Sequence, residues 1–129
     1  MCGVIGCFAK NGFQLNASHH IAVKQGLKYL ELRGPDAQSI INIDNGNLIL
    51  GHTRLAIIDL SPESNQPFTH DNKSFLSFNG EIYNFKELSK QYFRDEKLST
   101  NSDTEILYYI FLKQMNLIKK IEGMFAGCF

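Results

Sequence analysis

The sequence predicts an α+β layered domain. Short apolar runs separated by Asn-Gly turns read as strands in hairpins, and stretches with apolar residues at helical spacing lie among them. Hairpins interleaved with helices favour a layered antiparallel arrangement over a doubly wound parallel sheet. At 129 residues and 43% hydrophobic, the chain is the size of one ordinary domain and can bury a core.

The elements follow in order. Residues 4–9, Val-Ile-Gly-Cys-Phe-Ala, form a first strand almost at the start, and Asn11-Gly12 reads as a turn. A helix is expected over 18–32, capped by Ser18, with Val23, Leu27 and Leu30 on one face and Gly34-Pro35 as its stop. Ile40-Ile41-Asn42-Ile43 and Leu48-Ile49-Leu50 flank Asp44-Asn45-Gly46-Asn47, a strong hairpin signal. Residues 55–60, Leu-Ala-Ile-Ile-Asp-Leu, read as a further strand with Arg54 at its start, followed by a polar loop over 61–67. A strand over 74–78 runs into a turn at Asn79-Gly80. Asn84 with Glu87 resembles a capping pair for a helix over 85–92. Ser102 with Glu105 is a cleaner capping box for a helix over 103–117, with Ile106, Tyr109, Ile110 and Leu117 as its apolar stripe.

Charge narrows the function classes. Thirteen basic residues cancel thirteen acidic ones and no block of like charge stands out, which argues against a nucleic acid or an anionic membrane as partner. No apolar run approaches the roughly 18 residues of a membrane span. Residues 1–10 have neither the positive start nor the apolar length of a signal peptide, so the expected location is the cytoplasm. Cys2, Cys7 and Cys128 are an odd number without a Cys-x-x-Cys pair, and His19, His20, His52 and His70 are scattered. No metal site is expected, and cysteine chemistry would be that of a single thiol in a reducing compartment.

Four segments hold candidate chemistry. Met1 precedes a small side chain, so its removal would leave Cys2 with a thiol and a free α-amine on one residue. Reference pKa values of about 7.7–8.0 for such an amine and about 8.5 for a thiol let the amine serve as base. A small buried hydrophobe at a strand start is the plain alternative. Arg54, in Gly51-His52-Thr53-Arg54-Leu55-Ala56-Ile57-Ile58-Asp59-Leu60, could fork onto a carboxylate, or form a structural ion pair. Asn79-Gly80, in Asn-Gly-Glu-Ile-Tyr-Asn, offers an amide and a glycine N–H to an oxyanion, or is simply a turn. Asp103 opens a helix, where the helix dipole favours an acid in any case.

Taken together and in this order, with Arg33-Gly34-Pro35-Asp36, Gln66-Pro67, Ser102-Asp103-Thr104-Glu105 and Glu122-Gly123-Met124-Phe125-Ala126, these segments closely resemble one family. It is the N-terminal glutaminase domain of glutamine-hydrolysing asparagine synthetases, a class II glutamine amidotransferase of the N-terminal nucleophile hydrolase fold. The resemblance runs from Met1 to about Ala126. It implies an αββα sandwich in which Cys2 attacks the side-chain amide of L-glutamine. Asn79 and the Gly80 N–H would hold the oxyanion. Arg54, with backbone groups around Leu55 and Ile57, would clamp the substrate α-carboxylate. Asp103 would take the α-ammonium, and Glu81 would line the amide end. The implied partner is an ammonia-accepting synthetase domain or subunit. ATP and Mg are expected only there, because this chain has no Gly-rich phosphate loop.

Gly127-Cys128 departs from the family's aromatic-plus-alanine continuation, and the sequence stops at Phe129. The expectation is therefore a single domain over 1–129 with a sandwich incomplete at its C-terminus. The alternative function is a truncated, non-catalytic remnant or interaction module of the same family.

Overall fold

The computed structural model describes residues 1–10, 13–43 and 46–129. Among them five strands form two antiparallel sheets, one in the order β1-β3-β2 and one pairing β4 with β5. The strands are β1 (Gly3–Phe8), β2 (Ala37–Ile43), β3 (Leu48–Arg54), β4 (Ser77–Ile82) and β5 (Gly123–Cys128). The helices are α1 (Ala17–Leu30), α2 (Phe85–Tyr92) and α3 (Asp103–Lys113). Helix α1 lies on β1 and β3, these two strands meet β4, and α3 packs on β4 with α2 behind it. The order of layers is helix, sheet, sheet, helix, in line with the α+β expectation.

The first sheet forms much as the apolar periods require. Strand β3 is its centre, with Gly3 opposite Thr53 on one side and Ile43 opposite Leu48 on the other. Gly46 takes a positive φ of 89° at the end of the hairpin connection, while Asp44-Asn45, like Asn11-Gly12, lies outside the described residues. Val23 and Leu27 are the buried face of α1, as expected. Its cap is Asn16 rather than Ser18: the Asn16 side chain accepts from the Ser18 backbone N–H at 3.0 Å. A single 3-10 turn, Glu31–Arg33, follows, and the chain then presses onto β3 at Gly34. A Cβ there would stand 2.4 Å from the Thr53 carbonyl carbon and 2.6 Å from the Arg54 nitrogen, so only glycine fits.

Several further expectations fail. Residues 55–60 form no strand: the sheet ends at Arg54, and Ile57 and Leu60 are exposed in the loop beyond it. Arg54 therefore closes a strand instead of opening one. Its buried guanidinium needs acceptors, and the loop curls back to supply them. Asn79-Gly80 is not a turn but the middle of β4, opposite Ala126 and Phe125 of β5. The two strands run so close at Gly80 that a Cβ would fall 2.2 Å from the Met124 carbonyl oxygen. Another failure concerns the caps. Ser102 caps α3 by accepting from the Thr104 N–H at 3.0 Å, but Glu105 is committed elsewhere. Asn84 caps nothing, since its amide bridges Lys120 and Glu122.

Helix α3 stops at Lys113, short of Leu117, and carries no stripe, because Asp103 through Ile110 are all buried. It is the centre of the core, which joins Phe78 and Ile82 of β4 to Leu88 of α2 and to Ile106, Leu107 and Ile110.

The seam between the sheets holds a polar residue. His52, 1% exposed, reaches across from β3, its Nε2 lying 3.2 Å from the Phe78 carbonyl oxygen. Burial lowers its pKa to about 4; the bond to Phe78 opposes the shift and the charge of Arg54 adds to it. The ring is therefore neutral at pH 7 and donates from Nε2.

An unfolded histidine titrates near 6.5, so between 6.5 and about 4 the unfolded chain takes up the proton first. This contribution to stability is whole above pH 6.5 and falls by up to about 3 kcal/mol on the way to pH 4. In urea titrations across that range, His52→Gln should flatten the decline relative to the parent. Equal slopes would mean the ring is not held neutral.

Candidate active site

Cys2 stands between two cavities. The first, about 120 Å³, has Cys2, Arg54, Gln66, Gly80, Glu81 and Asp103 in its walls, with Met1 at its edge. The second, about 430 Å³, is also lined by Cys2 and is bordered by Arg33, Asn79 and Cys128. Strand β1 starts at Gly3, which sets Cys2 at the end of the sheet beside the end of β3. There the Leu55 N–H donates to the Cys2 sulfur at 3.4 Å, and the Cys2 thiol donates to the Leu55 carbonyl at 3.9 Å. Arg33 Nε donates to the Cys2 carbonyl at 3.1 Å, and Asp36 accepts from the Ala56 N–H at 2.8 Å. The Arg-Gly-Pro-Asp segment thus fastens both chain pieces that meet at the sulfur.

Arg54 is 8% exposed and has no carboxylate partner among the described residues. The structural ion pair considered above is not what holds it. Its Nη1 donates to the Ser61 carbonyl at 2.7 Å and to Asn65 Oδ1 at 2.8 Å, and its Nη2 donates to the Asp59 carbonyl. The Nε–H and one Nη2–H are used by no described residue, which leaves two donors for a ligand carboxylate. The Asp59 carboxylate accepts from the Ser61 and Asn101 N–H groups, and these bonds hold its pKa near 2.

Asp103 faces Arg54's cavity from the first turn of α3. It is 5% exposed, and its Oδ2 accepts from the Ile82 N–H at 3.0 Å. Burial pushes its carboxyl above the usual range; the backbone bonds from Ile82 and Thr104 oppose this and the charge of Glu81 adds to it. An acid raised by burial in a cleft, with a cation site opposite, is the electrostatic pattern of a binding site.

The other expected residues are distributed as follows. Leu55 lies at the first cavity, but its backbone is engaged with the Cys2 sulfur. Ile57 lines the same cavity with its side chain largely exposed, and Glu81 stands exposed at the rim. Gly80 reaches the first cavity, whereas Asn79 lies on the second. The two expected oxyanion donors are neighbours in β4 and line different cavities, each of which also includes Cys2. The Asn79 Oδ1 is buried without a hydrogen-bond partner among the described residues, an uncommon state for an amide.

Sequence reasoning gave no role to Gln66, Asp59 or Thr104. Gln66 is buried in the first cavity's wall, its Oε1 accepting from the Phe78 N–H at 2.6 Å and its Nε2 lying 3.5 Å from Thr104 Oγ1. The Gln66-Pro67 pair was visible in sequence as part of the motif set; its structural duty was not.

The sequence model of the family described as the glutamine amidotransferase domain matches residues 1–129. The chain belongs to this family. Among its relatives is a probable glutamine-hydrolyzing asparagine synthetase of Acanthamoeba polyphaga mimivirus, 39% identical over 86% of this chain and 20% of the relative. Asparagine synthetase 1 of Bacillus subtilis is 33% identical over 98% of this chain and 20% of its own length. The amidase chry2 of Gibberella zeae is 35% identical over 98% and 20%. The chain thus spans about a fifth of the length of the curated relatives it matches. No helix among the described residues is long and apolar enough to cross a membrane.

The raised Asp103 has a measurable cost in the ligand-free chain. A carboxyl that ionises less readily when folded destabilises the fold once pH rises past its unfolded value near 3.8. Asp103→Asn should therefore raise the unfolding midpoint at pH 7, and the gain should vanish toward pH 3.8. A midpoint lowered at pH 7 would contradict the assignment.

Proposed function

We propose that this amidotransferase domain hydrolyses L-glutamine to glutamate and ammonia through a thioester on Cys2. The observation that carries the reading is the meeting of Cys2, Arg54 and Asp103 around one cavity in a chain of this family. A thiol, a guanidinium with two N–H groups to spare and a buried carboxylate match the amide carbon, the α-carboxylate and the α-ammonium of one amino acid.

Removal of Met1 by an aminopeptidase frees the Cys2 amine. That amine takes the thiol proton, directly or through a water, and the sulfur attacks the amide carbon. Asn79 and the Gly80 N–H stabilise the oxyanion. As the intermediate collapses, the carbon–nitrogen bond breaks and the protonated amine passes its proton to the departing ammonia. Water then adds to the thioester, sulfur leaves, and glutamate is released. Arg54 and Asp103 hold the α-carbon end throughout, and Glu81 lines the amide end.

In the complete protein the ammonia feeds an ATP- and Mg-dependent synthetase domain or subunit that makes asparagine from aspartate, following the names of several relatives. In this reading the 129 residues carry the amide-hydrolysing step, and ATP and Mg belong to the other part. The domain works in the cytoplasm, without nucleic acid as a partner.

Chain lacking Met1, incubated with a glutamine-mimicking diazoketone, should gain covalent mass on the N-terminal peptide; soluble folded chain that stays unlabelled would count against the thioester. Asn79→Ala should lower turnover by about 10²–10³-fold, the loss typical of one oxyanion donor, with a smaller change in glutamine affinity. Turnover equal to the parent would remove Asn79 from the mechanism.

A further inference from the structure

Glu105 is the most completely buried carboxylate among the described residues, at 0% exposure, yet it lines neither cavity at Cys2. Its Oε1 accepts from the Ser99 N–H at 2.9 Å, the Ser99 hydroxyl at 3.2 Å and His70 Nε2 at 2.6 Å. Its Oε2 accepts from the Thr100 N–H at 2.7 Å and the Thr100 hydroxyl at 2.6 Å. Burying a charge is costly unless it is fully partnered, and here every donor but one comes from the short segment leading into α3.

That segment joins the two ends of the first cavity. Asn101, next along the chain, donates its N–H to the Asp59 carboxylate at 2.7 Å. Asp59 presents its carbonyl to Arg54 Nη2, and its carboxylate holds the Ser61 N–H at 2.8 Å. Ser61 in turn gives its carbonyl to Arg54 Nη1. In the other direction, Glu105 sits two residues after Asp103 in the first turns of α3. Hydrogen bonds joined by short stretches of backbone thus run from the cation of the cavity to the helix that carries its acid, and Glu105 is their buried post.

We propose that Glu105 is a positioning residue that sets the separation of Asp103 from Arg54, and so lets the site read the paired α-ammonium and α-carboxylate of its substrate. This rests on the reading of the cavity as a glutamine site. The distinguishing consequence is selective. Misplacing Asp103 weakens ligands that have an α-ammonium and spares those that lack one, whereas a general loosening of the fold weakens both alike.

The test measures binding calorimetrically on the whole chain carrying Cys2→Ser, with L-glutamine and with glutaramate, the same molecule without its α-amine. The Cys2→Ser chain should favour glutamine at least tenfold, and adding Asp103→Asn should erase that preference. Adding Glu105→Gln should cut it at least fivefold, and Thr100→Val, which removes one donor to Glu105, at least twofold. A folded Glu105→Gln chain that keeps the full preference overturns the proposal. If Glu105→Gln does not fold, an undiminished preference in Thr100→Val does so. A Cys2→Ser chain without preference, or Asp103→Asn that retains it, overturns the reading of the cavity itself, and the role of Glu105 with it.

Discussion

The site is organised by a buried positive charge that has no carboxylate among the described residues to neutralise it. Arg54 ends β3 inside the sandwich, and a guanidinium cannot relieve its burial by giving up a proton. Acceptors must therefore be brought to it. The chain after β3 supplies the Asp59 and Ser61 carbonyls and the Asn65 side chain, and to do so it leaves the sheet and folds back across the strand end. That return is the wall of the first cavity. Its first residue, Leu55, meets the Cys2 sulfur, and its polar middle, Asp59, is tied to the entrance of α3. One buried cation thus accounts for the loop, the cavity and the neighbourhood of the thiol.

The same constraint explains what was legible in the sequence and what was not. Helix α1 and the β2–β3 hairpin follow from local apolar periods and turn chemistry, and Val23, Leu27, Ile43 and Leu48 stand where those periods put them. Residues 55–60 have the composition of a strand, but their conformation is decided by Arg54's need for acceptors further along the loop. Asn79-Gly80 has the chemistry of a turn, yet the deciding partner is β5, a distant glycine-rich segment with no clear alternation of its own. Ser102 with Glu105 has the spacing of a capping box, and the glutamate's oxygens are claimed by Ser99, Thr100 and His70 instead. In each case a local signal is overridden by a polar or backbone demand from elsewhere in the fold.

The candidate site residues could be named from the sequence as a set, and each was ambiguous alone. Each of Cys2, Arg54, Gly80 and Asp103 has an ordinary structural reading, and only their convergence on one cavity favours chemistry. Gln66 and Asp59 stayed invisible for a physical reason. A polar side chain that satisfies a neighbouring backbone N–H looks, in sequence, like any solvated loop residue; its burial or its partners alone reveal the task.

Two carboxylates on α3, two residues apart, show how the fold separates structure from readiness. Glu105 is buried and satisfied: burial alone would raise its pKa, but hydrogen bonds from Thr100, Ser99 and His70 outweigh that and leave it below the usual range. Asp103 is nearly as buried, and although the Ile82 and Thr104 N–H groups donate to it, burial and the charge of Glu81 leave its pKa raised. In the wall of the same cavity stands Arg54, with two N–H groups that no described residue uses, and on the second cavity at Cys2 stands Asn79, with an amide oxygen that has no partner among the described residues. A domain able to satisfy one buried acid this fully has no structural need to leave these groups of the two cavities at Cys2 wanting. The shortfall is stability held in reserve at one place, and a ligand bearing an ammonium, a carboxylate and an amide is the kind of molecule that would return it.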